Sequence, residues 1–70
     1  MKYVTLYEKL GKRIRDLRRK KGLSQEKLAA EAGLHRAYMW EVEKGRNISV
    51  KTAYKIARAL GIGLRDLFSF

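Results

Sequence analysis

The fold of this chain is decided by residues 24–45, SQEKLAAEAGLHRAYMWEVEKG. Ser24 can cap a helix, because its hydroxyl can accept a hydrogen bond from an amide of the first turn. Apolar residues then recur at helical spacing as far as Gly33, a residue type that favours the left-handed backbone found after helices. A second periodic run covers residues 36–44 and stops at Gly45. Two short helices joined by a glycine turn form a helix-turn-helix pattern, although the spacing fits an ordinary helical hairpin equally well.

The size and composition of the chain predict one small domain spanning residues 1–70. A domain of this size buries only about 60% of the surface that its unfolded chain exposes, so modest stability is expected unless it dimerises. Cysteine is absent, which excludes a disulfide framework and a Cys-ligated zinc site. His35 is the single histidine and cannot hold a metal ion alone. No metal or other cofactor is therefore expected.

Hydropathy and charge indicate where the chain is located and which kind of partner it binds. No apolar run approaches the roughly 18 residues of a membrane-spanning helix, and residues 1–10 lack the apolar centre of a signal peptide, so a cytoplasmic location is expected. The chain has 17 Lys and Arg residues against 7 Asp and Glu residues, a net charge of +10. A charge of this size favours a polyanionic partner, either nucleic acid or an anionic membrane surface, over a merely solubilising surface.

Helical periodicity continues on both sides of residues 24–45. Before them, apolar residues spaced by four, four and three predict a helix from a cap at Thr5 to about Lys21, with the apolar face Leu6, Leu10, Ile14 and Leu17. Residues 1–6 are expected to be extended or frayed. After them, Ser49 is expected to cap a helix of residues 50–60 with the apolar stripe Ala53, Ile56, Ala57 and Leu60. With a closing turn at residues 64–68, the pattern predicts an all-α fold.

The helix of residues 36–44 has two different sides when residues are placed about 100° apart. The inward side is mainly apolar, with Met39, Val42 and Glu43 beside the preceding Leu34 and His35. The outward side carries Arg36, Ala37, Trp40, Glu41 and Lys44, with Tyr38 at its edge. An exposed Trp is unusual on a solvated face, so the outward side is typical of a recognition surface for DNA or for a protein. Gln25, at the start of the preceding helix, can donate to a phosphate beside the free amides there.

The sequence resembles the lambda-repressor-like helix-turn-helix family, also called the Cro or xenobiotic-response-element type. The matching segments are LGKRIRDLR at 10–18, GLSQEKLA at 22–29, VEKG at 42–45 and IARALGI at 56–62, and the match covers residues 10–68. Within it, GLHRAY at 33–38 and RNIS at 46–49 resemble the controller proteins of restriction–modification systems. The resemblance implies five helices with the third docked in the major groove, in dimeric repressors or activators that bind palindromic operators.

The family's functional positions fall on particular residues of this chain. At the positions where the family reads bases, this chain has Arg36, Ala37, Trp40 and Glu41. At the positions where the family contacts the backbone or flanking bases, it has Gln25, Lys44, Arg46 and Asn47. Tyr38 fits a contact or a core position. Arg18 and Glu43 match a pair that forms a buried salt bridge in the family. Trp40 departs from the pattern, because small or polar residues are common at that position.

The sequence therefore predicts a transcriptional regulator that binds double-stranded DNA. Arg36 is the best candidate for a bidentate contact to guanine, while Ala37 and Trp40 would press on thymine methyl groups and Glu41 would accept from a cytosine amino group. A homodimer is expected because two copies on neighbouring half-sites supply more contact area than one. The candidate dimer interface is Leu64, Leu67, Phe68 and Phe70, for which a lid over the core is the alternative.

Other classes of function are less well supported by the sequence. The same fold could serve as a protein-interaction module, such as an antitoxin or an adaptor that uses the Trp40 face. The basic first helix could instead bind a membrane surface. An enzyme is not expected, because the chain lacks cysteine, a second histidine, a glycine-rich phosphate loop and a carboxylate cluster. No pocket for a small-molecule effector is evident from the sequence.

Overall fold

The computed structural model describes residues 3–70 and the side chains of residues 5–70. Within that range the chain forms five α-helices: α1 Tyr3–Lys20, α2 Gln25–Ala32, α3 Arg36–Glu43, α4 Val50–Ala59 and α5 Leu64–Leu67. No strand occurs among these residues. The predicted all-α fold with five helices is confirmed.

The first helix begins earlier than predicted. Because α1 starts at Tyr3, Thr5 lies inside its first turn and is not its N-cap. Once a helix has nucleated, each added residue gains a hydrogen bond, so the slightly lower propensity of a β-branched residue does not stop it. Met1 and Lys2, which were also expected to be extended or frayed, lie outside the described residues.

The caps of the central motif form as predicted. The Ser24 hydroxyl accepts a hydrogen bond of 3.0 Å from the amide of Lys27 at the start of α2. Gly33 has φ = 70°, and the next amide, that of Leu34, donates to the carbonyl oxygen of Ala29 at 2.8 Å. A left-handed residue closed by such a bond turns the chain sharply after α2. The turn therefore delivers α3 at a fixed angle to α2.

The core lies among all five helices. The largest fully buried side chains are Ile14, Leu28, Met39, Val42, Ile56 and Leu67. The predicted stripe of α4 is confirmed, as are Leu10 and Ile14 on α1. Leu6 is 41% exposed, so the first position of the predicted α1 face does not reach the core. Leu67 is 0% exposed and belongs to the core of the protomer itself, where it offers no surface to a second copy.

Helix α1 approaches the C-terminal end of α3 at Gly11. A Cβ atom at this position would lie 2.6 Å from the carbonyl oxygen of Val42 and 2.8 Å from that of Glu43. Contacts this short are not compatible with a side chain, so only glycine allows the two helices to pack this closely. The seam between α1 and α3 fixes which side of α3 is left facing outward.

Candidate nucleic-acid interface

Helix α3 buries one side and exposes the other. Met39, Val42 and Glu43 are buried, whereas the predicted outward residues Arg36, Ala37, Trp40, Glu41 and Lys44 are all exposed. His35 is an exception to the predicted wheel, because it is exposed although it was placed on the inward side. It precedes the helix in an extended conformation, with φ = −70° and ψ = 143°, so helical spacing does not apply to it.

A groove of about 560 Å³ runs along the outward side of α3. Its lining consists of Gln25 from the start of α2 and four residues of α3, namely Arg36, Ala37, Trp40 and Glu41. Residues that lie far apart in the sequence are thus brought to one concave surface by the turn at Gly33. Trp40 is 53% exposed, so much of its indole is presented to solvent.

The charged side chains of this face are held in exposed ion pairs. Arg36 Nη1 lies 3.3 Å from Glu26 Oε2, and Arg46 Nη1 lies 2.9 Å from Glu41 Oε1. Exposed pairs of this kind contribute about 0–1 kcal/mol. Their members can therefore change partners at little cost when an anion or a base edge approaches. Asn47 follows in the loop after α3 and is also exposed.

A cationic side chain lies over each of two aromatic rings of α3. Lys44 Nζ lies 5.2 Å from the centroid of the Trp40 ring, and Arg46 Cζ lies 5.1 Å from that of Tyr38. Cation–π contacts at this distance hold long side chains near the ring. Tyr38 is half-buried and also packs against the core, so it combines a core position with a place at the edge of the outward face.

The Arg18–Glu43 pair joins α1 to α3 behind this face. Arg18 Nε donates to Glu43 Oε2 at 2.8 Å, and Arg18 Nη2 donates to Glu43 Oε1 at 3.1 Å. Arg18 Nη1 also donates to the carbonyl oxygen of Leu23 at 2.9 Å. The two side chains are only 11% and 3% exposed. A buried pair of this kind is stable only when its hydrogen-bonding groups are satisfied, as they are here.

Gln25 joins the same network. Its Nε2 atom donates to Glu43 Oε1 at 3.1 Å, a contact that the sequence did not predict. A primary amide has two N–H donors, so one remains for an external acceptor. The expected phosphate donor is thus held in a defined orientation by the end of α3.

The four candidate residues for a dimer interface differ in burial. Leu67 is in the core, which corrects its assignment to an interface, and Leu64 is half-buried against that core. Phe68 and Phe70 are 40% and 52% exposed, and their ring centroids lie 6.3 Å apart. The core lid and the exposed aromatic pair are therefore two different parts of the C-terminal segment.

Sequence reasoning missed Arg15 and Arg19 of α1. They line a notch of about 220 Å³ beside α3, where they join Gln25, Trp40 and Lys44. We call this the α1 notch. The two arginines follow Gly11 at intervals of four residues, and this spacing is visible in the sequence. The notch itself depends on the contact between α1 and α3, which helical periodicity does not reveal.

Neither a membrane span nor a metal-binding cluster is found among residues 3–70. Across residues 3–70, no helix is both long enough and apolar enough to cross a membrane. Over the same part of the chain, no three His, Cys, Asp or Glu residues are grouped so that they could hold a metal ion.

The fold and the exposed face of α3 define a helix-turn-helix DNA-binding regulator. A sequence model of the helix-turn-helix family matches residues 14–67, and the chain belongs to this family of regulators, which are not enzymes. It is similar to the control protein C.BamHI of Bacillus amyloliquefaciens, with 45% identity over 62 residues that cover 86% of this chain and 76% of that protein. It is also 46% identical over 59 residues to an uncharacterized HTH-type transcriptional regulator of Archaeoglobus fulgidus, covering 83% of this chain and 84% of that one.

Among solved structures, the chain resembles the restriction–modification controller protein C.AhdI of Aeromonas hydrophila. The TM-score is 0.84 and the sequence identity 48%, and the match covers 90% of this chain and 96% of the other. The predicted resemblance to the helix-turn-helix family and to controller proteins is confirmed.

We predict that Arg18→Met strongly destabilises the protein. The change leaves the Glu43 carboxylate buried with Gln25 as its remaining side-chain donor, and breaking a buried pair costs about 3–5 kcal/mol. Urea unfolding at neutral pH measures the free energy of unfolding. Lys12→Met is the control, because it breaks the exposed Lys12–Asp16 pair of 2.9 Å and should leave the urea midpoint nearly unchanged. Equal midpoints for the two variants would contradict a structural role for the buried pair.

Proposed function

We propose that this protein is a transcriptional regulator that binds a palindromic operator as a dimer, with α3 of each protomer in the major groove. The observation that carries the proposal is the groove along α3, where the exposed Arg36, Ala37, Trp40 and Glu41 meet Gln25 of α2. Membership of the helix-turn-helix family and the net charge of +10 support the choice of DNA as the partner. The names of C.BamHI and C.AhdI support a controller-like role.

Arg36 is proposed to read a guanine. It stands at the first position of α3, and its only ion pair among the described residues is the exposed one to Glu26. A bidentate contact to guanine contributes about 1–3 kcal/mol of discrimination, which exceeds the 0–1 kcal/mol of an exposed pair. The cost of giving up the pair with Glu26 is therefore smaller than the discrimination that a guanine contact supplies.

The remaining positions of the face suit different groups of the duplex. Ala37 and Trp40 offer apolar surface to thymine methyl groups, and Glu41 can accept from a cytosine amino group. Where no cytosine is present, the Glu41 carboxylate repels phosphate and disfavours the wrong sequence. The proposed backbone donors are Gln25, Lys44, Arg46 and Asn47, with Tyr38 beside them; they set the register of α3 without carrying sequence information.

The dimer is proposed to form through the C-terminal segment of a one-domain protomer. Phe68 and Phe70 expose aromatic surface, and Leu6 and Val50 are exposed as well. Phe68, Leu6 and Val50 line one small groove, which supports an apolar contact there. Dimeric helix-turn-helix proteins related by a two-fold axis read half-sites about one helical turn apart, and the proposed dimer predicts the same spacing.

A second candidate function rests on Trp40 alone. Because its indole is 53% exposed, the same face could dock a protein, as in an antitoxin or an adaptor. The two functions differ in one observable, since only a DNA reader enriches a sequence from a random pool.

Selection on a randomised duplex at moderate salt tests the proposal and yields the operator. The wild-type protein should enrich a palindrome, and Arg36→Ala should weaken binding to it by roughly 5- to 150-fold per half-site, with relaxed preference at one guanine in each. Arg58→Ala is the matched control, because Arg58 is exposed on α4 and lies over Tyr54, away from the groove. No enrichment by the wild type would favour the protein-interaction function; an unchanged preference in Arg36→Ala would remove Arg36 as the reader.

Sedimentation equilibrium tests the dimer. We expect wild-type mass to rise from one to two protomers with concentration, and Phe68→Ser/Phe70→Ser to stay monomeric because its exposed aromatic patch is gone. Tyr54→Ser is the control, since this aromatic is 50% exposed on α4 and lies outside the patch. A wild-type mass of one protomer at every concentration would refute the dimer, and an unaltered double variant would refute this interface.

A further inference from the structure

The α1 notch carries an excess of positive charge. Four cationic residues and one carboxylate line it, and the Arg18–Glu43 ion pair removes one charge of each sign. The charges that remain are those of Arg15, Arg19 and Lys44. Three like charges around a space of about 220 Å³ repel one another, so an anion bound between them would relieve that repulsion.

The packing of α1 explains why the two arginines lie there. Gly11 brings α1 against the end of α3, and Arg15 and Arg19 follow it at intervals of four residues. Residues four apart lie above one another on a helix, so both arginines stand beside the same neighbour. The notch is thus a direct continuation of the α1–α3 seam.

Three other cations of α1 (Lys12, Arg13 and Arg18) have protein partners, whereas Arg15 and Arg19 have no carboxylate partner among residues 5–70. Lys12 bonds to Asp16 at 2.9 Å, and Arg13 Nη2 donates to the carbonyl oxygen of Asp66 at 2.8 Å. Within residues 5–70, neither Arg15 nor Arg19 forms an ion pair, and Arg15 Nε is buried without a hydrogen-bond partner.

Asp16 supplies only a weaker counter-charge to the two arginines. The pKa of Asp16 is lowered chiefly by the hydrogen bond from Lys12 and further by the charges of Arg15 and Arg19. Because Lys12 already holds this carboxylate, Asp16 does not neutralise either arginine.

The notch adjoins the proposed reading face. Gln25 and Trp40 line both the groove along α3 and the α1 notch, so the two depressions share a wall. A duplex seated on α3 would therefore pass its backbone, at the edge of the major groove, close to Arg15 and Arg19. Guanidinium groups match phosphate geometry because their N–H donors form parallel, charge-assisted hydrogen bonds.

We propose that the α1 notch binds a DNA phosphate, with Arg15 and Arg19 as its principal donors. The proposal rests on the proposed function, because it assumes that α3 seats the duplex. Lys44 adds a point charge, and the second N–H of the Gln25 amide can reach the same group. The site fixes the position of the backbone and reads no base, so its loss weakens all sequences alike.

The test compares salt dependence of binding for wild type and Arg15→Gln/Arg19→Gln. Each lost phosphate contact lowers the slope of log affinity against log salt by about 0.9, so the two notches of a dimer, with one phosphate each, lower it by about 1.8. At 0.1 M salt this amounts to roughly 60-fold weaker binding. The ratio of affinities for the selected operator and a scrambled duplex should not change.

Lys55→Gln/Arg58→Gln is the matched control, because it removes two exposed charges from the far side of α4. A salt slope in the notch variant equal to that of this control would overturn the proposal. Arg15→Lys/Arg19→Lys keeps both charges and should retain most of the slope; a slope as low as that of the glutamine variant would also count against a phosphate site.

Two further readouts separate the causes of a negative result. Far-UV circular dichroism establishes that each variant is folded. A wild type with equal affinity for operator and scrambled duplex would refute sequence reading by α3. The difference in salt slope between the notch variant and the control variant would still show whether the α1 notch binds a phosphate.

Discussion

The buried carboxylate of Glu43 is the point on which the arrangement of the helices depends. It accepts hydrogen bonds from Arg18 of α1 and from Gln25 of α2 while belonging to α3 itself. A charge removed from water must find such partners, because an unpaired one costs several kcal/mol. The glycine contact at Gly11 acts on the same seam by letting the backbones approach. Together they orient α3 so that its exposed side cannot rotate into the core.

The ion pairs on the proposed reading face are exposed, unlike the buried contacts of Glu43. These exposed pairs, Arg36 with Glu26 and Arg46 with Glu41, are individually weak. Behind them the Arg18–Glu43 pair is buried and fixed. This division of strong contacts behind the helix and weak contacts in front suits a surface that must exchange protein partners for nucleic-acid partners. The same reasoning explains why Arg15 and Arg19, which lack a carboxylate partner among residues 5–70, lie at its edge rather than within the core.

Much of the fold could be predicted because its signals are local. The caps at Ser24 and Gly33 and the stripe of α4 follow from residue type and helical spacing. His35 was misplaced because the wheel was extended beyond the start of α3, where the backbone is not helical. Leu67 was assigned to an interface because a single turn of helix shows no periodicity that distinguishes core from surface. The bond from Gln25 to Glu43 and the α1 notch depend on contacts between distant segments, which spacing alone does not encode.

Amide chemical-shift mapping of the protein titrated with its selected operator tests the central claim most directly, because it reports every region at once. We predict the largest changes at the start of α2, along α3 and at the indole N–H of Trp40, with smaller changes at Arg15 and Arg19. The outer face of α4, around Lys55 and Arg58, should remain unchanged. Changes concentrated on that face, with α3 unaffected, would contradict the claim that the Glu43-anchored helix is the one presented to DNA.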